Sequence, residues 1–158
     1  MMTTMIPETV RAVLAAHQLS ALEFEPGSTP TVESAARRIG VSEGQIAKSL
    51  LFRDKTGRFH MTVCAGDAKV SSGKLKRLVG SNVSMANHDE TFAATGFRPG
   101  GVCPFGVTVP VYIDESLKRF EVVYPAAGTD ATGVPTNFEQ LLLITGGQAC
   151  DVCTLPES

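Results

Sequence analysis

Apolar positions recur along this chain with two periods, and the switches between them mark out its elements. In "PETVRAVLAAHQL" Val10, Val13, Leu14 and Leu19 fall at helical spacing, behind a proline that suits a first turn. "ALEF" alternates as a short strand does and runs into the turn-rich "EPGSTP". Thr31 then predicts an N-cap for "VESAARRIG", with Glu33 in the first turn and Gly40 as the stop. "SEGQ" at 42–45 has the form of a capping box and predicts another short helix. "KSLLFR" and "RFHMTVCA" flank "DKTG" and read as a hairpin. "SSGKLKRLVG" is a basic amphipathic helix closed by Gly80, "NVSMA" is a short strand, and "NHDETFAATG" is a helix from an Asn-x-x-Glu start to Gly96. Beyond a glycine-rich stretch come the strand "VTVPVYI", a helical turn "DESLK" and the strand "FEVVYPA". "TNFEQLLLITG" is a last helix with its own capping box, and "QACDVC" is an edge strand or tail. There is no internal repeat, low-complexity stretch or linker. Irregular alternation with hairpins predicts one α/β (α+β) domain over 1–158, built on a mixed sheet rather than a doubly wound parallel one.

Composition narrows the partners. At 158 residues and 43% apolar content the chain can bury a real core. A net charge of -2 gives no global basic field, so any nucleic-acid contact is local. No apolar run reaches membrane-spanning length, and "MMTTMIPETV" has neither the charged start nor the apolar segment of a secretory signal. These features predict a cytoplasmic protein with no membrane partner. Cysteines at 64, 103, 150 and 153 are too sparse for a disulfide framework and suit reduced thiols.

Several motifs resolve to ordinary roles. "GDAKVSSGKL" resembles a phosphate loop, but its glycines are too widely spaced and Leu75 stands where a metal-binding hydroxyl belongs. "CDVC" follows an apolar helix at the end of the sequence instead of opening one, so its thiols read as structural before redox or metal-binding. "NHDE" at 87–90 reads as a helix start whose carboxylates offset the dipole. His17, His60 and His88 have no ligand spacing and no nucleophile partner, so neither a metal nor another cofactor is implied.

Two features resist that treatment. Lys48 in "IAKSLLF" has the most apolar neighbourhood of any charged residue here; as a strand residue it shares a face with Leu50 and Phe52, while Ser49 and Leu51 share the other. It is either a lysine snorkelling at a strand end or one held against an anionic ligand. "FRPGGVCPFG" at 97–106 sets two prolines and three glycines around a cysteine. A helix stop at Gly96 and a type II turn at Pro99–Gly100 account for its first half. Gly101 and Pro104 are left over, and exposed amides there would suit a carbonyl or an anion.

In order along the chain, "TVESAARRIGVSEGQIAKSLLFR", "GDAKVSSGKLKRLVG", "TGFRPGGVCPFG", "VPVYIDESL" and "YPAAG" resemble the YbaK/ProX family of aminoacyl-tRNA deacylases, over about residues 8 to 153. That family includes the editing domain of bacterial prolyl-tRNA synthetases and its free-standing relatives. The resemblance implies a mixed, strongly bent sheet with flanking helices. It implies a trans-editing hydrolase acting on the 3′ aminoacyl end of mischarged tRNA, with prolyl-tRNA synthetase as a possible partner. The family lysine falls on Lys48, its Gly-x-x-x-Pro loop on Gly100 and Pro104 with Gly101 between, a hydroxyl-bearing stretch on Ser28, Thr29 and Thr31, and a later glycine turn on Gly128. Some relatives carry serine where this chain has Cys103, which the resemblance makes a pocket wall. On this reading Lys48 holds the negative charge of the substrate, and Gly100 and Gly101 orient the ester carbonyl. The pair "GGVCPFG" and "DVC" resembles the subgroup that clears small or medium aliphatic amino acids from proline tRNA. Two alternatives stay open: a non-catalytic module that binds tRNA 3′ ends, and a thiol redox protein using Cys150 and Cys153.

Overall fold

A computed structural model describes residues 5–156. In chain order the elements are α1 (Glu8–Ala16), β1 (Leu22–Glu23), α2 (Val32–Ile39), a 3-10 turn (Glu43–Gln45), β2 (Ala47–Asp54), β3 (Phe59–Ala65), β4 (Lys69–Val70), α3 (Ser72–Val79), β5 (Val83–Met85) and α4 (His88–Thr95). They continue with β6 (Val111–Asp114), a second 3-10 turn (Glu115–Arg119), β7 (Thr132–Gly133), α5 (Phe138–Thr145), β8 (Gln148–Cys150) and β9 (Cys153–Thr154). The central sheet has five strands in the order β5-β2-β3-β6-β8. β2 pairs antiparallel with β3 and β5, whereas β6 runs parallel to both β3 and β8, so the sheet is mixed as the pattern predicts. Two small ladders, β1–β7 and β4–β9, tie distant segments together.

The main core joins Val10 and Leu14 of α1 to Leu51, Met61, Val63 and Ile113 of the sheet, with Leu117 and Leu141. Each of Val10, Met61, Val63, Ile113, Leu117 and Leu141 is fully buried, and such burial stabilises by about 1.5–3 kcal/mol per side chain. A separate small cluster forms where α2 leans on the entry to β2: Ala35, Ala36 and Ile46, packed with Val32, Ile39, Val41 and Tyr124.

Local signals hold where the partner is near in sequence. Thr31 caps α2 by accepting from the Ser34 N–H at 3.1 Å, and Asn87 caps α4 by accepting from the Glu90 N–H at 2.8 Å. The "SEGQ" box forms, the Ser42 N–H donating to the Gln45 side chain at 3.2 Å, and the short helix it opens is a single 3-10 turn, because the Gln45 carbonyl already accepts from the Tyr124 N–H at 2.7 Å and the chain must enter β2. Two expectations are corrected. "FEVVYPA" forms no strand. Its bonds go two ways, Val123 to Thr136 and Tyr124 to Gln45 and Ala47, and Pro125 offers no N–H to continue either ladder. The box before α5 is half made: Asn137 accepts from the Gln140 N–H, while the Gln140 side chain accepts from the Thr136 hydroxyl. "QACDVC" is an edge strand for its first half, as β8.

Candidate functional site

A cavity of about 300 Å³ opens between α2, the outer edge of β2 and the start of α4. Its apolar wall is Val32, Ala35, Ile39, Ile46, Val102 and Tyr124. Among the described residues no Asp or Glu lines it, and Lys48 supplies a cation. The wall follows from the small cluster above: α2 turns its Val32–Ala35–Ile39 stripe toward the β2 entry, and the cavity lies beside that contact.

Lys48 is half-buried, and its position on β2 opposite Cys64 of β3 fixes its stem. Its Nζ donates to the Ala68 carbonyl at 2.6 Å and to the Gly66 carbonyl at 3.3 Å. An ammonium has three donors, so these bonds leave one N–H for a ligand. The carbonyls sit close because Gly66 packs against the Glu43 carbonyl and the Val32 side chain, where any Cβ would collide. Between them, Asp67 accepts two bonds from the Arg119 guanidinium, at 2.6 and 3.1 Å. That pairing, with a smaller effect from the Lys48 charge, holds the Asp67 carboxyl below its usual range.

The glycine-rich loop is a turn first. The Gly101 N–H donates to the Arg98 carbonyl at 3.0 Å, with Pro99 and Gly100 at its corners and Gly100 at φ +87°. This is the geometry of a type II turn, in which only glycine sits easily at the third position. Pro99 and Gly100 line the cavity. Gly101 does not, and its amide is already committed. Instead it lies backbone to backbone with the 128–129 turn: a Cβ there would stand 2.8 Å from the Gly128 carbonyl carbon and oxygen and from the Thr129 nitrogen.

The other sequence candidates divide in two. Thr29, Thr31 and Gly100 join Lys48 at the cavity, whereas Ser28, Gly101, Cys103, Pro104 and Gly128 do not line it. The Thr31 hydroxyl is occupied in capping α2. Thr29 is 4% exposed, and its hydroxyl has no partner. Cys103, expected as a pocket wall, is fully buried in the main core and does not line the cavity, although its neighbour Val102 does. Burial pushes its thiol up to about 12, so it is no thiolate at neutral pH. Pro104 is buried, and Gly128 packs against Pro7 and Phe97. Residues missed in the sequence include Ser49, 8% exposed with an unpartnered hydroxyl, and Tyr124. Position beside Lys48 was the signal for Ser49; nothing local marked Tyr124.

Away from the cavity, His60 lies 2.8 Å from Asp54 and 3.2 Å from the Tyr112 hydroxyl, and none of the three lines it. Cys150 ends β8 and Cys153 opens β9, so neither stands at a helix start. Burial, followed by the nearby Asp114 carboxylate, pushes the Cys150 thiol up to about 12. Hydrogen bonding to Cys64 and burial raise that of Cys153. Both are thiols at neutral pH, poor attackers in disulfide exchange. On the deacylase reading that the sequence resemblance implies, replacing Cys150 and Cys153 together by serine is therefore expected to leave turnover within a few-fold of wild type. Loss of most turnover in a folded double variant, measured beside its circular dichroism, would restore the redox alternative.

The family model for the aminoacyl-tRNA editing domain matches residues 26–143. The chain is 43% identical over 121 residues to the uncharacterized protein YwhH of Bacillus subtilis, covering 75% of this chain and 76% of YwhH. It is 28% identical to EbsC of Enterococcus faecalis, whose name assigns it provisionally as a Cys-tRNA(Pro)/Cys-tRNA(Cys) deacylase, over 78% of this chain and 77% of that one. Against the proline–tRNA ligase of Thermotoga maritima it is 30% identical over 80% of its own length but only 24% of the ligase. A crystal structure described as a candidate trans-editing enzyme for prolyl-tRNA synthetase superposes with a TM-score of 0.82 at 33% identity, covering 95% of this chain and 99% of the other.

Proposed function

The chain belongs to the aminoacyl-tRNA editing-domain family, and from its cavity we propose that it is a trans-editing hydrolase that cleaves the ester of a mischarged aminoacyl-tRNA. Its substrate on this reading is proline tRNA bearing a small or medium aliphatic amino acid. The observation that carries it is a lysine that, among the described residues, keeps one N–H free at an aliphatic cavity lined by none of their carboxylates. An activated ester needs no strong protein nucleophile, so the missing general base is no obstacle. Water adds to the acyl carbon, the carbonyl electrons move onto its oxygen, and collapse expels the ribose oxygen, which takes up the proton that water gives up. The neighbouring ribose hydroxyl orders that water. Lys48 holds negative charge on the substrate through its remaining N–H. Gly100 brings bare backbone to the opposite wall, while Gly101 acts behind it by fixing the turn. Alanine, valine or a similar side chain fits against Val32, Ala35 and Ile39, where a charged one would be desolvated without a partner.

A panel of proline tRNAs charged with alanine, valine, cysteine, aspartate and proline tests this directly. The aliphatic esters should be released faster than the aspartyl and prolyl ones. Release of none of them, with binding intact, would leave a non-catalytic module that holds tRNA ends.

Affinity for tRNA should be modest and fall as salt rises, because local phosphate contacts release counterions. Arg37 and Arg38 pair with Glu33 and Glu25, and Lys74 with Asp151, whereas Lys69, Lys76 and Arg77 have no salt-bridge partner among the described residues, so the phosphate contacts on offer are local. Tight binding that ignores salt, measured by filter retention, would count against a tRNA substrate.

A further inference from the structure

The outer edge of β2 contains a gap. β3 pairs with β2 from Ala47 to Arg53, but β5 pairs only with Phe52, Arg53 and Asp54. Along an antiparallel strand, alternate residues turn their N–H and C=O to opposite sides. Asp54 turns toward β3, since its N–H donates to the Arg58 carbonyl across the hairpin at 2.8 Å. Ala47 and Leu51 turn the other way. The Ala47 N–H donates to the Tyr124 carbonyl at 3.2 Å, and the Leu51 carbonyl accepts from the Ala86 N–H at 2.9 Å. Ser49 lies between them with the same orientation, and among the described residues its main-chain N–H and C=O have no partner. Ser49 lines the cavity and is 8% exposed. Unpaired buried backbone is costly, and native structures rarely leave it without a partner. The Ser49 and Thr29 hydroxyls, both buried and unpartnered, belong to the same cavity.

An aminoacyl group carries an amine N–H and an acyl C=O on one carbon, the complement of what a single strand residue offers. We propose that Ser49 binds the aminoacyl group of the substrate as a one-residue strand added to the edge of β2. The Ser49 C=O accepts from the α-amine. The Ser49 N–H donates to the ester carbonyl oxygen and so meets the charge that develops there during hydrolysis. Thr29 Oγ1 accepts a second amine proton from across the cavity. The pairing gives the site a donor for the carbonyl that the committed Gly101 amide cannot supply, and it selects α-amino acyl esters over other acyl esters. It rests on the deacylase reading above.

Alanyl and propionyl esters of the same proline tRNA differ only in an α-amine against a hydrogen, so the second has no donor for the Ser49 C=O, and single-turnover rates divided by each ester's spontaneous rate compare them fairly. The alanyl ester should be accelerated about tenfold more than the propionyl ester, the scale of one lost hydrogen bond to a buried acceptor. Equal acceleration overturns the pairing but leaves the hydrolase standing, whereas no acceleration of either overturns both. Ser49→Pro removes the donor without breaking a ladder bond and should cost about 10²-fold in rate, the scale for one oxyanion donor. A folded Ser49→Pro protein with wild-type rate overturns the proposal. Amide spectra report independently of turnover. On titration with 3′-alanylamino-3′-deoxyadenosine, an amide-linked analogue, the Ser49 amide should shift and its exchange should slow. Shifts at Lys48 and Gly100 with Ser49 unmoved would place the acyl group elsewhere and overturn the pairing.

Discussion

Lys48→Ala is expected to slow single-turnover deacylation by about two to three orders of magnitude, the scale for losing one preorganised electrostatic partner. It is also expected to lower stability. From the sequence, a lysine in an apolar strand looks like a cost to the free protein, and its removal looks neutral or favourable. The structure reverses that sign, because the ammonium satisfies the Ala68 and Gly66 carbonyls at 2.6 and 3.3 Å. Leaving them without a donor costs about 1–3 kcal/mol. Turnover must then be measured well below both unfolding midpoints, so that the folded fraction does not enter. Lys48→Arg keeps the charge but not the compact donor geometry, and should recover only part of the rate. Nearly normal turnover in a destabilised Lys48→Ala protein would mean that the lysine only staples the 66–68 loop to β2.

The parts of this fold that sequence makes legible are those whose cause lies within four residues. Thr31 and Asn87 each cap their own helix through a backbone N–H three positions on, and α2 and α4 begin where those caps predict. The β2–β3 hairpin is legible for the same reason. The β1–β7 ladder is not: Leu22 meets Gly133, and two-residue strands carry no period to betray the match. "FEVVYPA" fails differently, because its alternation is real but its backbone bonds are divided between 45–47 and 136.

The cavity was half legible. Lys48 stood out because charge in an apolar run is improbable without a reason, and Thr29 and Gly100 lay in segments already singled out by turn residues. The aliphatic wall did not stand out. Val32, Ala35 and Ile39 form an ordinary amphipathic stripe, and only the tertiary position of α2 turns part of that stripe toward a cavity. In the sequence Ser49 is only a side chain on the face away from Lys48. What sets it apart is its backbone, and an unpaired strand edge appears only once the extent of β5 is known.

Gly101→Ala carries the second large effect, and here the structure changes what is expected. From the sequence, a methyl group at Gly101 enters space reserved for the ester or meets a positive φ, so turnover suffers more than folding. Positive φ belongs to its neighbour Gly100, at +87°. The Gly101 Cβ would point at the Gly128 carbonyl and the Thr129 nitrogen, each 2.8 Å away. Both are backbone atoms, so no side chain can rotate aside and the two loops must part. Overpacking of this kind costs about 1–3 kcal/mol, with about 2–4 °C of Tm lost for each kcal/mol in a domain of this size. The 128 turn has little room to retreat, since a Cβ on Gly128 itself would stand 2.7 Å from Pro7 Cδ. Rate should fall as well, because displacing Gly101 drags Pro99 and Gly100 from the cavity wall. Gly57→Ala is the control: its φ is +89°, but nothing lies within 4 Å of the new methyl group, so it reports turn strain alone. Gly101→Ala should unfold at a lower temperature than Gly57→Ala despite its easier φ. An unchanged midpoint for Gly101→Ala would show that the 98–101 turn and the 128–129 turn do not touch, and the account of that wall would fail with it.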